Sequence, residues 1–431
     1  MAAINSMRRR VVITGLGVTA PNGLGHESFW RNSMAGHSGV RKIRAFSTAR
    51  LSTKIAGIIE AFDPNDWQIS NKVVSSTDRY IHFALAASAM AVEHAGLSKK
   101  SITLSKSGVC IATAIAGTSY MEQVFLDASA QATAPINRRK IPPSLYLNAS
   151  FTGATSFVAN AYGANGPTIS FATGCTAGLD ALGFAFECIR TARADIMIAG
   201  AAEAPLTPLT IAAFDVIGAL SCSYNDAPER ASRPFDKNRD GFVLSEGCGI
   251  LILEAYEHAL ARGATILAEL SGFGSTCNAY HMSNLPPDGE ALCRAIELAC
   301  ADAHILPNKI DHVNAHGSST LQNDACETFA IFKSMGEHAK SVPVCSLKSM
   351  NGHALSAANA IEAVACVLSL LYQEVPPTIN YETPDPECFL DYVPNIGRKV
   401  KLDYILKTAS GFSGIHSAMI FQRYSKSSYP L

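Results

Sequence analysis

Thr173-Gly174-Cys175-Thr176-Ala177-Gly178 stands between Thr168-Ile169-Ser170-Phe171, which reads as a buried strand, and a run that reads as a long helix. The cysteine therefore falls at a strand-to-helix elbow. The first turn of a helix leaves backbone N–H groups unpaired and carries the positive end of the dipole, so the pattern predicts a stabilised thiolate at Cys175. Gly174, Ala177 and Gly178 permit close backbone approach, and Ala181, Gly183 and Ala185 predict a helix packed deep in the protein. Taken alone, the stretch fits a nucleophile or an inert buried thiol, and only chemical partners from elsewhere in the chain separate the two.

Working outward from the elbow, strands and helices alternate. Before it come a β-branched strand at 9–16, helices at 27–35 and 78–95 with Gly96 as a stop, and a second strand at 107–113. After it come a strand at 195–200, a packed segment at 201–213, strands within 242–253 and a helix at 256–262. From about Thr265 the order begins again: strand 265–272, helix 288–303, strand 310–315, helix 321–334, strand 342–346, helix 355–373, and strands near 405–411 and 416–423. This predicts an α/β protein with parallel sheets covered by helices, in two halves, 1–264 and 265–431. No sequence repeat and no low-complexity linker accompanies the division.

The 431 residues, 48% hydrophobic and 16% charged, can bury a large core. With 35 basic against 36 acidic residues, no global field favours nucleic acid or a membrane surface. Twelve cysteines without a C-x-x-C pair argue against zinc and against a secreted disulfide framework, and a reducing cytoplasm fits best. No apolar run is long enough for a transmembrane helix.

Two motif matches fail on context. Gly15-Leu16-Gly17-Val18-Thr19-Ala20 fits the dinucleotide pattern, but Pro21, Asn22, Gly23 and Gly25 follow where a helix should open, so it reads as strand then loop. Asp236-Lys237-Asn238-Arg239-Asp240-Gly241 imitates a calcium loop whose twelfth ligand would fall on Gly247, with two basic residues opposing a cation.

Three more segments supply partners for the sulfur. Asn314-Ala315-His316-Gly317-Ser318-Ser319-Thr320 places a histidine after a strand; Leu347-Lys348-Ser349-Met350-Asn351-Gly352-His353 places a lysine and a histidine ahead of a helix; Gly411-Phe412-Ser413-Gly414 is a turn between strands. Together, in this order, they resemble the β-ketoacyl synthases, the condensing enzymes of the thiolase superfamily, from Val11 to about Gln422. Thr173-Gly174-Cys175-Thr176-Ala177-Gly178-Leu179-Asp180 and Ser417-Ala418-Met419 look most like the ketosynthase alpha subunit of bacterial type II aromatic polyketide synthases.

The resemblance implies a thiolase-like fold of two similar βα halves in five layers (α-β-α-β-α), the first carrying the nucleophile and the second the two histidines. It implies a decarboxylative Claisen condensation in which Cys175 holds the acyl chain, while His316 and His353, as neutral imidazoles, flank the malonyl thioester. It casts Lys348 as an orienting charge paired with Glu327, close to Asp324, the backbone N–H groups of Cys175 and Phe412 as the oxyanion hole, and Phe412 as a gate. Ser413 stands where relatives often have glycine, His416 where asparagine is frequent, and Ser318 where threonine is common.

It further implies substrates on the phosphopantetheine of an acyl carrier protein, no bound cofactor or metal, and a dimer with a chain-length factor. Arg138, Arg139 and Lys140 are either a solvated turn or a docking patch for the acidic carrier protein, and residues 111–119 are placed at the pocket or the subunit interface. The alternatives are a homodimeric fatty-acid or polyene synthase, or a non-catalytic chain-length-factor-like subunit, against which Cys175, His316 and His353 argue. A thiolase is disfavoured because Cys388 lacks a glycine-rich setting.

Overall fold

The computed structural model describes residues 8–425, so the outermost residues of both expected halves lie outside the described residues. Ten strands carry the architecture. The first five are β1 (Val11–Ala20), β2 (Ser107–Ala112), β3 (Thr168–Ile169), β4 (Ile196–Glu203) and β5 (Gly247–Ala255). The second five are β6 (Ala268–Cys277), β7 (His312–Asn314), β8 (Val344–Cys345), β9 (Tyr404–Ser410) and β10 (Ile415–Gln422). The helices that pack on them are α1 (Arg79–His94), α2 (Gly153–Tyr162), α3 (Ala177–Arg190), α4 (Glu290–Asp302), α5 (Leu321–Met335) and α6 (Ser356–Tyr372).

In the sheet the first five run β3-β2-β4-β5-β1 and the second five β8-β7-β9-β10-β6, so both halves place their strands in the order third, second, fourth, fifth, first. The halves meet along an antiparallel seam between Val11–Ile13 and Ala268–Leu270. Helices α3 and α6 lie between the two five-stranded units and share the largest apolar core; α1 and α2 cover the outer face of the first unit, α4 and α5 that of the second. This is the expected five-layer, thiolase-like arrangement.

Two expectations need correction. The sheets are mixed: β2 is parallel to β3 and β4, and β7 to β8 and β9, but β4·β5, β5·β1, β9·β10 and β10·β6 are antiparallel. A strand buried on both faces, such as the run Ile250-Leu251-Ile252-Leu253, has the same composition in either direction, so hydropathy does not report orientation. The strand before the cysteine is not buried either: Thr168 and Ile169 are both exposed, at the free edge of the first unit.

The small residues of α3 have the expected use. A Cβ on Gly178 would lie 2.3 Å from the Ser356 carbonyl oxygen, so α3 and α6 meet backbone to backbone at their N-terminal ends. The dinucleotide-like segment lies wholly within β1 and opens no helix. In the calcium-like loop, Asp236 accepts from Arg233 and from the N–H groups of Asn238, Glu382 and Thr383, while Arg239 pairs with Asp385 at 2.5 Å. The loop is a clamp between chain segments.

Candidate active site

Cys175 occupies a 3-10 turn, Gly174–Thr176, that runs directly into α3. Asp180, one turn into the helix and buried, accepts from the hydroxyls of Thr173 and Thr176, bracing the elbow on both sides of the sulfur; it also accepts from Ser417 of β10 at 2.5 Å. Two pieces of the motif that carried the family resemblance, Asp180 and Ser417, therefore touch.

A cavity of about 430 Å³ opens over the sulfur, and Cys175, His316, His353 and Phe412 all line it. The imidazoles of His316 and His353 meet edge to face, with ring centres 5.2 Å apart. His316 follows β7; His353 is held by its N–H donating to the Val243 carbonyl at 2.7 Å, with the Phe242 ring against its imidazole. Burial first, then the positive field of Lys348, pushes both histidines well below their ordinary pKa, so both are neutral at neutral pH. Nδ1 of each ring is buried with no hydrogen-bond partner among the described residues. Orphaned buried N–H groups are rare, which places the proton on Nε2.

The thiol departs from expectation. Burial pushes Cys175 up to about 11, against the lowering effects of Lys348 and of hydrogen bonds from the backbone N–H groups of Phe412 and of Cys175 itself. A stabilised resting thiolate was expected from the helix N-terminus; desolvation outweighs it. These are the two N–H groups expected to form the oxyanion hole, and both act on the thiol in the lowering direction. The Cys175 carbonyl accepts from Nδ2 of Asn359 on α6 at 2.5 Å.

Lys348 is fully buried, and its ion pair is with Glu362 of α6 at 2.7 Å rather than with Glu327; its ammonium also donates to the His316 carbonyl at 2.6 Å. Glu362 pairs through its other oxygen with Lys407 of β9 at 2.9 Å. Glu327 instead accepts from the N–H groups of His316 and Gly317, each at 2.7 Å, and from the Thr408 hydroxyl, setting the backbone that carries the histidine. Asp324 accepts from the N–H groups of Phe235 and Ser319, and burial raises it to about 6 against the opposing Arg239.

Phe412 is partly exposed on its turn, where Ser413 has φ +68° and donates its N–H to the Met282 carbonyl at 2.5 Å. Ala114 and Ile115, from the segment expected at the pocket, line the cavity. Cys388 lies in the core behind the second unit and not in the cavity. Arg138, Arg139 and Lys140 form an exposed 3-10 turn away from the cavity lining.

The chain matches two family models, beta-ketoacyl synthase N-terminal domain over residues 8–259 and beta-ketoacyl synthase C-terminal domain over 267–382. The chain belongs to the β-ketoacyl synthase family. As a β-ketoacyl synthase it is an acyltransferase. It is 46% identical over 415 residues to a putative polyketide beta-ketoacyl synthase 1 of Streptomyces halstedii, covering 96% of this chain and 98% of that one. It is 42% identical over 420 residues to the tetracenomycin polyketide synthase ketoacyl synthase alpha subunit of Streptomyces glaucescens, covering 96% and 97%. Among solved structures it is similar to the ketosynthase of a type II polyketide synthase, captured with its acyl-carrier protein and bound to the hexaketide: TM-score 0.91, 47% identity, covering 97% of this synthase and all of that chain.

Several site residues of this synthase escaped the sequence, namely Asp180, Asn359, Glu362 and Lys407. Glu362 left a signal, because it is the one charged residue in the buried helix span Ala357 to Leu370, where a carboxylate is tolerated only with a partner.

Proposed function

We propose that this chain is the elongating ketosynthase of a type II polyketide synthase and extends a poly-β-keto chain with malonyl units. The observation that carries this is the single cavity in which one thiol, two neutral imidazoles and two backbone N–H groups meet. Cys175, from residues 1–264, takes the acyl chain as a thioester; His316 and His353, from residues 265–431, donate Nε2–H to the malonyl thioester carbonyl. When the carboxylate leaves as carbon dioxide, its bonding electron pair becomes the enolate that those donors stabilise. The enolate carbon attacks the Cys175 thioester, whose oxyanion is held by the N–H groups of Cys175 and Phe412, and collapse breaks the C–S bond to free the sulfur.

Burial keeps the resting sulfur protonated, so its proton leaves during acylation. Lys348 orients His316 through its carbonyl. The phosphopantetheine of an acyl carrier protein delivers both substrates; the exposed Arg138, Arg139 and Lys140 offer an acidic carrier protein a basic contact.

The chain-length factor would cover the free edge of β3 and the exposed apolar side chains Ile136, Tyr146, Leu147 and Phe151. No helix among the described residues is long and apolar enough to cross a membrane, and twelve cysteines without a disulfide among them suit a cytoplasmic protein.

The test is Cys175→Ala beside His353→Ala, each with malonyl-loaded carrier protein and the partner subunit. Cys175→Ala is expected to abolish elongation while still releasing carbon dioxide, and His353→Ala to slow elongation by about 10²-fold or more. Products of normal length from either variant, seen by mass spectrometry, would refute the assignment.

A further inference from the structure

Ser410 lines the Cys175 cavity at the end of β9, two residues before Phe412, whose N–H meets the sulfur. Its hydroxyl oxygen lies 2.9 Å from Nδ1 of His416, a buried residue of β10. On the other edge of that ring, Nε2 lies 3.4 Å from Nδ2 of Asn278. The side-chain amide of Asn278 has its orientation fixed, because its Oδ1 accepts the Tyr280 N–H at 3.0 Å. Nδ2 is then the donor, Nε2 of His416 the acceptor, and the single ring proton sits on Nδ1, from which it is donated to Ser410. Burial pushes His416 down to about 4, which keeps the ring neutral and this tautomer intact at neutral pH. A serine oxygen that accepts on one side has its own hydrogen left to give, and Ser410 is one of the residues that line the cavity.

We propose that His416 is a positioning residue that fixes Ser410 as a hydrogen-bond donor into the cavity, and that Ser410 selects acyl chains bearing a β-keto oxygen over fully reduced chains. This rests on the ketosynthase function proposed above and narrows its substrate class. In the acylated enzyme the two backbone N–H groups serve the thioester carbonyl. The next polar atom along a polyketide chain is the β-oxygen, whereas a reduced chain offers only a methylene. A donor facing a methylene is left unpaired, and a site built to bond an oxygen discriminates against the analogue lacking it far more strongly than an apolar wall does.

The experiment measures acylation of Cys175 in the full-length protein by intact-mass spectrometry, using two pantetheine thioesters of equal carbon count, acetoacetyl and butyryl. The readout is the ratio of the two rates relative to wild type, which cancels their intrinsic reactivities. Ser410→Ala is expected to lower the acetoacetyl-to-butyryl ratio about 10-fold. His416→Phe should lower it similarly, and His416→Gln, whose amide can again donate to Ser410, should restore most of it. If the ratio in Ser410→Ala stays at the wild-type value, whether the separate rates hold or fall together, the proposal is overturned. If neither thioester acylates wild-type Cys175 while iodoacetamide still alkylates it, the ketosynthase function itself fails, and this inference with it.

Discussion

In the first half of the molecule the central-layer helix, α3, starts right after a sulfur; in the second half its counterpart, α6, starts three residues after an imidazole. Both helices emerge from the same place in the same strand order, yet two buried carboxyl groups near the cavity, one from each half, are handled in opposite ways. The one in the second half is paired: Glu362 lies between the ammonium groups of Lys348 and Lys407, all three buried. The one in the first half is kept neutral. Glu203, at the end of β4, is pushed by burial up to about 8 and stays protonated at neutral pH, accepting from the Ser356 hydroxyl at 2.5 Å and from the Ala114 N–H. One repeated strand order thus puts a cation near the two cavity imidazoles and keeps an anion from forming near the cavity thiol, whose ionisation Glu203 would oppose.

The strongest way to break this contrast is Glu362→Ala, which leaves two buried lysines without their counter-charge. A loss of about 3–5 kcal/mol is expected, measured by urea denaturation. A charge-preserving Glu362→Asp should lose less; equal stability of the alanine variant and wild type would show that the ammonium groups have other support.

Glu203→Gln probes the opposite strategy, and its effect depends on pH. The carboxyl titrates near 4.5 when unfolded and near 8 when folded. Between those values the native state holds a proton that the unfolded state has released, so wild-type stability falls as pH rises through the window and levels off above it. Glutamine cannot titrate. The variant's melting temperature relative to wild type should therefore climb from pH 5 to pH 8 and then stop; a difference independent of pH would mean that Glu203 is ionised in the folded protein.

How much of this was legible beforehand follows from which interactions are local. The helices expected at 321–334 and 355–373 are Leu321–Met335 and Ser356–Tyr372, because capping and apolar spacing are written in consecutive residues. Cys175, His316 and His353 were legible because each sits in a short motif of small residues. Lys348's true partner was not: a lone charge in its helix marks Glu362 as needing some counter-ion, but nothing in the neighbouring residues says that the counter-ion is Lys348. Nor was the thiol's raised pKa, because burial depends on everything packed around the elbow, while the helix end is visible in the sequence itself.

The smallest expected effect is at the turn over the pocket. Ser413→Gly removes the cost of a left-handed side chain, offset in part by the greater freedom glycine gives the unfolded chain, for a gain of up to about 1 kcal/mol in chemical denaturation. A loss instead would mean that the serine side chain contributes more than its backbone strain costs.

The amide of Asn359 on the Cys175 carbonyl and the hydroxyl of Ser356 on Glu203 each join one half to the other at the centre of the molecule. Recombination between relatives that exchanged a single half would have to bring matching ends for both links, or else leave the sulfur's loop untethered and a buried acid without its donor. The halves repeat one pattern of strands, but they are heritable only as a fitted couple.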